Sequence, residues 1–384
     1  MSEVFIVSAT RTPTARRGGA LAGVHPARLL GSAQREAVVR AGIDPAEIGQ
    51  IVGGTVTQVG EQASNITRTA WLAEGLPAVV AATTVDAQCG SSQQAFTLAV
   101  GLVRSGLVDS ALACGVESMT RLPIGSNFRK QDGLGRPLPR AYKDHYEFLD
   151  QFRAAERIGA MYGIDRAAAD AYGMESQRRA IAAWNAGHFS TQLVTTPTTE
   201  DGEPTSLLRD EGLREPDPTK VASLDPVLPG GIHTAASASQ IADGASAVLV
   251  MSGARAQALG LQPLARVVDS ILVGVDPVTM LLGPHAATPK LLERNGLSAQ
   301  DLDLVEINEA FASIVLSYLH DLKLDPAVVN PNGGAIATGH PLGATGALLV
   351  TKAAHELSRL GRGRALVTMC CGGGLGTASL LEAV

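Results

Sequence analysis

Thr84-Val-Asp-Ala-Gln-Cys-Gly-Ser-Ser-Gln-Gln94 is the stretch on which the reading of this chain turns. The residues before it, Pro77 to Val85, are apolar and extended in character. Those after it, Gln93-Gln-Ala-Phe-Thr-Leu-Ala-Val-Gly-Leu-Val103, repeat apolar positions at spacings of three and four and predict a helix. Cys89 therefore falls where a buried strand turns into the N-terminus of a buried helix. Unpaired backbone N–H groups and the helix dipole converge at such a turn, which favours a thiolate and suits an oxyanion. Gly90 leaves one wall of the turn bare for an approaching carbonyl. A structural cysteine is the alternative, and the commoner one for a lone thiol among apolar residues.

Composition narrows the partners. A net charge of −6 over 384 residues gives no reason to expect nucleic acid or an anionic membrane. No apolar run approaches the ~18 residues of a spanning helix. Met1-Ser-Glu3 leads straight into the strand-like Val4-Phe-Ile-Val-Ser8, without a signal or transit peptide, and Glu382-Ala-Val384 is not a peroxisomal address. Cys89, Cys114, Cys370 and Cys371 are spaced for neither a disulfide framework nor a zinc site. A metal-free protein of the reducing cytoplasm is expected.

Outward from Cys89, strands and helices alternate. Helices are predicted over Pro26 to Ala41, ended by Gly42, and over Ala63 to Glu74; strands over Ile51 to Gln58 and Asp109 to Gly115. From Arg121 to about Ser239 the chain turns rich in Arg, Asp, Pro and Gly, with two helices and a Pro-studded loop over Thr195 to Pro229. An insertion of this length binds something or covers a site. Alternation then resumes with strands at Ala245 to Met251, Pro263 to Asp269, Leu304 to Asn308 and Arg364 to Cys370, the last long one. Ile51-Val-Gly-Gly54 and Val305-Glu-Ile-Asn308 lie 254 residues apart, as do Ser110-Ala-Leu-Ala-Cys-Gly115 and Arg364-Ala-Leu-Val-Thr-Met369. That offset predicts two copies of one unit, whose equivalent loops face one pocket. The expected division is a first half over 1–120, an insertion over 121–239 and a second half over 240–384, its first strand beginning near 245.

Three loops of the second half carry chemistry. Asn308-Glu-Ala-Phe-Ala312 puts Asn308 at a strand end, with Glu309 either orienting it or starting the next helix. Asn332-Gly-Gly-Ala-Ile-Ala-Thr-Gly-His-Pro-Leu-Gly-Ala-Thr-Gly346 places His340 in a glycine-lined turn. Met369-Cys-Cys-Gly-Gly-Gly-Leu-Gly376 ends a strand on Cys370 and continues as nearly bare backbone. A nucleophile, an imidazole, a second thiol, an amide and two Gly-rich turns are the parts of an acyl-transfer site.

On these four motifs, in this order and over essentially the full length, the chain resembles the thiolases. The resemblance implies an α/β fold, the five-layer αβαβα arrangement of two homologous halves, with the insertion as a loop domain over the coenzyme A site. It implies a homodimer, or a tetramer built from dimers. Cys89 would attack the carbonyl and hold the acyl group, and His340 would accept the thiol proton. Asn308 would position a water that completes one oxyanion site with His340. The N–H groups of Cys89 and Gly372 would form the other. Cys370 would carry the proton to and from the acetyl-CoA enolate, a task suited to a thiol with an ordinary pKa near ~8.5. Coenzyme A and acyl-CoA would be substrates, with no tightly bound cofactor. Asp210-Glu-Gly-Leu-Arg214 resembles the stretch that meets the nucleotide end, so Arg214 is a phosphate-binding candidate or else a solvated surface arginine. Thr234 to Gly244 matches the stretch along the pantetheine arm, which singles out Ser239.

The implied reaction is thiolysis of a 3-ketoacyl-CoA to acetyl-CoA (or propionyl-CoA) and a shortened acyl-CoA, in fatty-acid or steroid side-chain degradation. Where acetoacetyl-specific biosynthetic members carry His-Met-Gly, this chain reads Asp150-Gln-Phe152, which favours a bulkier acyl group. A biosynthetic, acetoacetyl-CoA-forming thiolase is the alternative; a decarboxylating condensing enzyme and a non-catalytic acyl-CoA or lipid carrier fit the two thiols less well. Cys371, facing away from Cys370 along a strand, and Cys114 read as core.

Overall fold

The computed structural model describes residues 2–128, 135, 137–196 and 207–384. Its strands are β1 (Val4–Arg11), β2 (Ala15–Arg16), β3 (Gln50–Gly54), β4 (Ala81–Val85), β5 (Ser110–Ser118), β6 (Ala242–Ser252), β7 (Ala265–Gly274), β8 (Leu304–Ile307), β9 (Arg364–Cys371) and β10 (Leu375–Glu382). Its helices are α1 (Pro26–Ala41), α2 (Ile66–Ala73), α3 (Ser91–Arg104), α4 (Gln151–Met161), α5 (Arg166–Asn185), α6 (Pro218–Ala222), α7 (Gly253–Ala258), α8 (Gly283–Arg294), α9 (Ala312–Leu322), α10 (Ala335–Thr338) and α11 (Thr345–Leu360). The start of α1 shows why local signals were readable. Pro26 takes the first helical position, His25 Nδ1 accepts the Ala27 N–H at 3.1 Å, and Gly42 closes the helix at φ +67°.

The strands run β4-β3-β5-β6-β1-β7-β10-β9-β8. β3 is parallel to β4 and β5, and β8 is parallel to β9. The halves meet where β1 pairs antiparallel with β7, Val4 opposite Val267 and Ile6 opposite Ala265. The 254-residue offset holds for the helices too, since α3 begins at Ser91 and α11 at Thr345. Three apolar cores separate five layers. α1 and α2 pack one outer face of the first half. α3 and α11 fill the space between the halves, with Phe96, Val100, Val350 and Leu357 against Val250 and Val367. α8 and α9 cover the outer face of the second half. This is the five-layer αβαβα arrangement expected from the sequence. Helices packed between two sheets need small residues at close approaches, and α3 and α11 accordingly carry Ala95, Ala99, Gly346, Ala347, Ala353 and Ala354, all buried.

Several expectations need correction. The second half does not begin at 240, because β6 runs along β5 and β1 of the first half; the offset located strands by similarity, and β6 had no copy quoted. β9 is not the last long strand: the Gly-rich run after Cys371 is a hairpin into β10, with Leu375 opposite Cys371. β4 is not buried but an edge strand, its residues exposed or half-buried. α9 starts at Ala312 rather than Glu309. Of the Pro-studded loop over Thr195 to Pro229, residues 197–206 lie outside the described residues, and Pro218–Ala222 is helical. The end of the insertion is pinned to β1: Arg11, itself buried, holds Asp210 through two bonds of 2.8 and 3.1 Å and lies over the rings of Trp184 and Phe189.

Candidate active site

Cys89 stands on a tight elbow between β4 and α3. Asp86 Oδ1 accepts the Gln88 N–H at 2.7 Å, and Ser91 Oγ both accepts from Ala87 N at 3.0 Å and donates to Gln88 O at 2.6 Å. These bonds hold Gln88 at φ +53°, a left-handed conformation costly for a side chain with a Cβ. Gly90 serves packing rather than an open wall. A Cβ on it would lie 2.5 Å from Cys371 Sγ and 2.9 Å from a Thr377 methyl. Cys371 thus fills core directly behind the elbow, and Cys114 is buried elsewhere, its thiol pushed up to about 12 by burial.

The N–H groups of Gly372 and of Cys89 itself favour a charge on the Cys89 sulfur. Burial nevertheless dominates and pushes the thiol up to about 11, with Glu117 and Asp86 opposing ionisation further. The expectation that the turn favours a thiolate is therefore not met in the unliganded chain. Val56, Met119 and Leu342 pack against Cys89.

His340 follows Gly339, which takes φ +99°. Its Nδ1 lies 2.7 Å from Thr345 Oγ1, which donates its own hydrogen to Pro341 O at 2.9 Å. The hydroxyl must then accept, so Nδ1 carries the proton and Nε2 is bare. Burial lowers the imidazole to about 4. Nε2 is 3.3 Å from Asn308 Nδ2. Asn308 is fixed by its N–H to Thr368 O at 3.0 Å, two residues before Cys370, while its Oδ1 is buried without a partner among the described residues. Cys370 lies in an apolar cluster with Met280, Leu281, Phe311 and Ile314. Burial, and then the charge of Cys89, push its thiol well up.

Ser239 and Arg214 flank one segment. Ser239 N–H donates to Ala310 O at 3.0 Å beside the Asn308 loop. Arg214 is exposed, its Nη2 3.2 Å from Ala235 O. Of Asp150-Gln-Phe152, Asp150 caps α4 by accepting Arg153 N–H at 2.9 Å. Phe152 reaches the Cys370 cluster, its ring edge-on to Phe311 at 5.3 Å.

Two carboxylates do more than the sequence reading gave them, Glu309 having been read as a partner of Asn308 or a helix start and Glu117 not at all. Glu309, far from capping a helix, is fully buried and accepts from Tyr172, Ser176, Asn330 and the Ile336 N–H at 2.6–3.1 Å, tying α5 to the loops around Asn308 and His340. Glu117, near the end of β5, likewise gathers loop N–H groups. Its signal was a lone acid in a strand of small residues.

Against known families, residues 4–254 match the thiolase N-terminal domain and residues 261–383 the thiolase C-terminal domain. The chain belongs to the thiolase family. This thiolase is 44% identical to the steroid 3-ketoacyl-CoA thiolase FadA6 of Mycobacterium tuberculosis over all of its length and 94% of the relative's. It is 40% identical to the beta-ketothiolase BktB of Cupriavidus necator, covering 100% of this chain and 99% of that one. The acetyl-CoA acetyltransferase of Bacillus anthracis superposes with a TM-score of 0.93 at 35% identity, covering 100% and 99% of the two chains. The protein is an acyltransferase with thiolase activity, and none of its described helices is long and apolar enough to cross a membrane.

Proposed function

We propose that this thiolase cleaves 3-ketoacyl-CoAs with a bulky acyl group during degradation, through an acyl-enzyme on Cys89. The proposal is supported by the Gly372 N–H and Cys370 beside Cys89, and by the Asn308–His340 pair, whose turn packs against Cys89 through Leu342. In the first half-reaction Cys89 passes its proton to the bare His340 Nε2, and its sulfur bonds to the 3-keto carbon. The alkoxide formed there lies with the N–H groups of Cys89 and Gly372. The carbon–carbon bond then breaks; its electron pair becomes the enolate of acetyl-CoA (or propionyl-CoA), and Cys370 protonates that enolate. The enolate oxygen is met by His340 and a water held by Asn308, whose unpartnered Oδ1 leaves a polar atom free for it. In the second half-reaction the thiol of coenzyme A gives up its proton to the Cys370 thiolate and bonds to the acyl carbon, and the Cys89 thiolate leaves and recovers its proton from His340. Ser239 would line the pantetheine arm and Arg214 the phosphates.

Phe152 beside Phe311 and Cys370, together with the steroid thiolase among the relatives, supports a bulky rather than an acetoacetyl substrate. The open outer edge of β4, with Val79 exposed nearby, supports a homo-oligomer built on pairs, a dimer or tetramer. Four free thiols fit the cytoplasm.

The test is thiolysis of a panel from acetoacetyl-CoA through medium chains to a ring-bearing 3-ketoacyl-CoA, followed by loss of enolate absorbance. The bulky end of the panel should turn over best, and Cys89→Ala should lose thiolysis altogether. Best turnover with acetoacetyl-CoA would instead indicate the biosynthetic reading. Binding without turnover would indicate a carrier.

A further inference from the structure

Glu117 takes no part in the steps above, yet its side chain is completely buried. Oε2 accepts the N–H of Val56 at 3.0 Å and of Gly343 at 2.9 Å. Oε1 accepts the N–H of Thr57 at 3.1 Å and Gln62 Nε2 at 2.8 Å. The Gln62 amide is oriented independently, because its oxygen accepts the Ser118 N–H at 2.8 Å. All four partners are donors, so the geometry selects the acceptor-only, ionised carboxylate, although burial works against it.

These donors come from both halves of the molecule. Val56 and Thr57 follow β3 of the first half, whereas Gly343 belongs to the turn that carries His340. Val56 and Leu342, next to the bonded groups, pack with Met119 against Cys89. The fit at Gly343 is closed on every side: a Cβ there would stand 2.5 Å from Val116 O, 2.7 Å from Thr55 Cα and 2.8 Å from Glu117 Oε2.

We propose that Glu117 is a positioning residue, which docks the His340 turn of the second half onto the Cys89 elbow of the first. The inference rests on the Cys89–His340 chemistry proposed above. A second consequence follows from its charge. Glu117 and Asp86 are the charges that oppose ionisation of Cys89, whose proton His340 takes in the scheme above, and of the two Glu117 is the buried one that does not itself shape the elbow. Its negative charge favours the resting thiol.

The experiment compares wild type, Glu117→Gln and Gly343→Ala in two readouts. One is kcat and KM on the best 3-ketoacyl-CoA of the panel; the other is the rate of Cys89 alkylation by iodoacetamide from pH 6 to 10, with circular dichroism to count folded protein. Gly343→Ala keeps the charge but displaces the turn, so kcat should fall at least about tenfold with KM nearly unchanged and the alkylation profile as in wild type. Glu117→Gln should lose kcat similarly and also alkylate roughly tenfold faster at pH 8, its profile moved to lower pH by about one unit. Wild-type kcat in either variant, or a loss no larger than the loss of folded protein, overturns the proposal. Should Glu117→Gln not fold, Gly343→Ala decides alone. Turnover by Cys89→Ala would refute the reaction scheme instead. Wild-type turnover in Gly343→Ala beside an inactive Cys89→Ala refutes only the role of Glu117.

Discussion

The resting site holds a thiol and a neutral imidazole rather than an ion pair. Burial moves the two groups in opposite directions, Cys89 up to about 11 and His340 down to about 4, so both are uncharged near neutrality. Proton transfer must then accompany carbon–sulfur bond formation, and it needs the correct imidazole nitrogen. Thr345 selects that nitrogen by accepting from Nδ1. Thr345→Val removes the acceptor and lets the other tautomer form; kcat should fall roughly tenfold or more with little change in KM, measured by steady-state thiolysis. An unchanged kcat would show that the tautomer is set by something else. The sequence singled out Cys89, Asn308, His340 and Cys370 through their motifs, and the structure sets them after β4, after β8, after α10 and near the end of β9. Glu117 was passed over, since the N–H groups that enclose it come from distant loops and only its place as a lone acid among small residues marked it, and Glu309 was read only as a partner of Asn308 or a helix start.

At the scale of elements, the elbow is placed by how closely α3 meets its neighbours. A Cβ on Gly54, at the end of β3, would collide with the backbone of Ser91 and Ser92 in the first turn of α3, and one on Gly346 with Gln93 N. Bare backbone on both sides lets α3 seat between the halves. Gly54→Ala should therefore cost about 3 kcal/mol in urea unfolding and shift the elbow enough to change the alkylation rate of Cys89. A variant with wild-type stability would mean that α3 has slack here. The 254-residue repeat made α3 and α11 legible as equivalents, because two similar helices must bury similar faces. β10 was hidden by composition: Gly376, Thr377, Ala378 and Ser379 lack the alternation of a half-exposed strand, since the strand is buried on both faces.

Across the whole molecule, acid should weaken the fold through its buried imidazoles. His285, enclosed by Tyr162 and Tyr318 and 3.0 Å from Ser317 Oγ, is lowered to about 4, chiefly by burial. The unfolded chain binds this proton from about 6.5 downward, whereas the folded chain does so only near 4. Stability from this group is thus intact above about pH 6.5 and is lost progressively toward pH 4, by at most about 3 kcal/mol. Buried Glu117, Glu306 and Asp243, all raised by burial, act in the opposite sense, so the comparison must be differential. In urea unfolding at pH 7.5, 6 and 4.5, His285→Gln should decline less steeply than wild type. Parallel declines would refute the assignment. Fold class and duplication were readable at this scale; the boundary between halves was not, because β6 follows the insertion in sequence but joins strands made before it.

That same placement of β6 bears on how the chain is made. β1 leaves the ribosome before the other described strands, and its neighbours in the sheet are β6 and β7, which begin at Ala242 and Ala265. The chain from Arg11 to Ala242 must be translated before either side of β1 has a partner, and β5 likewise waits for β6 on one side. During that interval β1 is an unpaired apolar edge, open to pairing with other nascent chains.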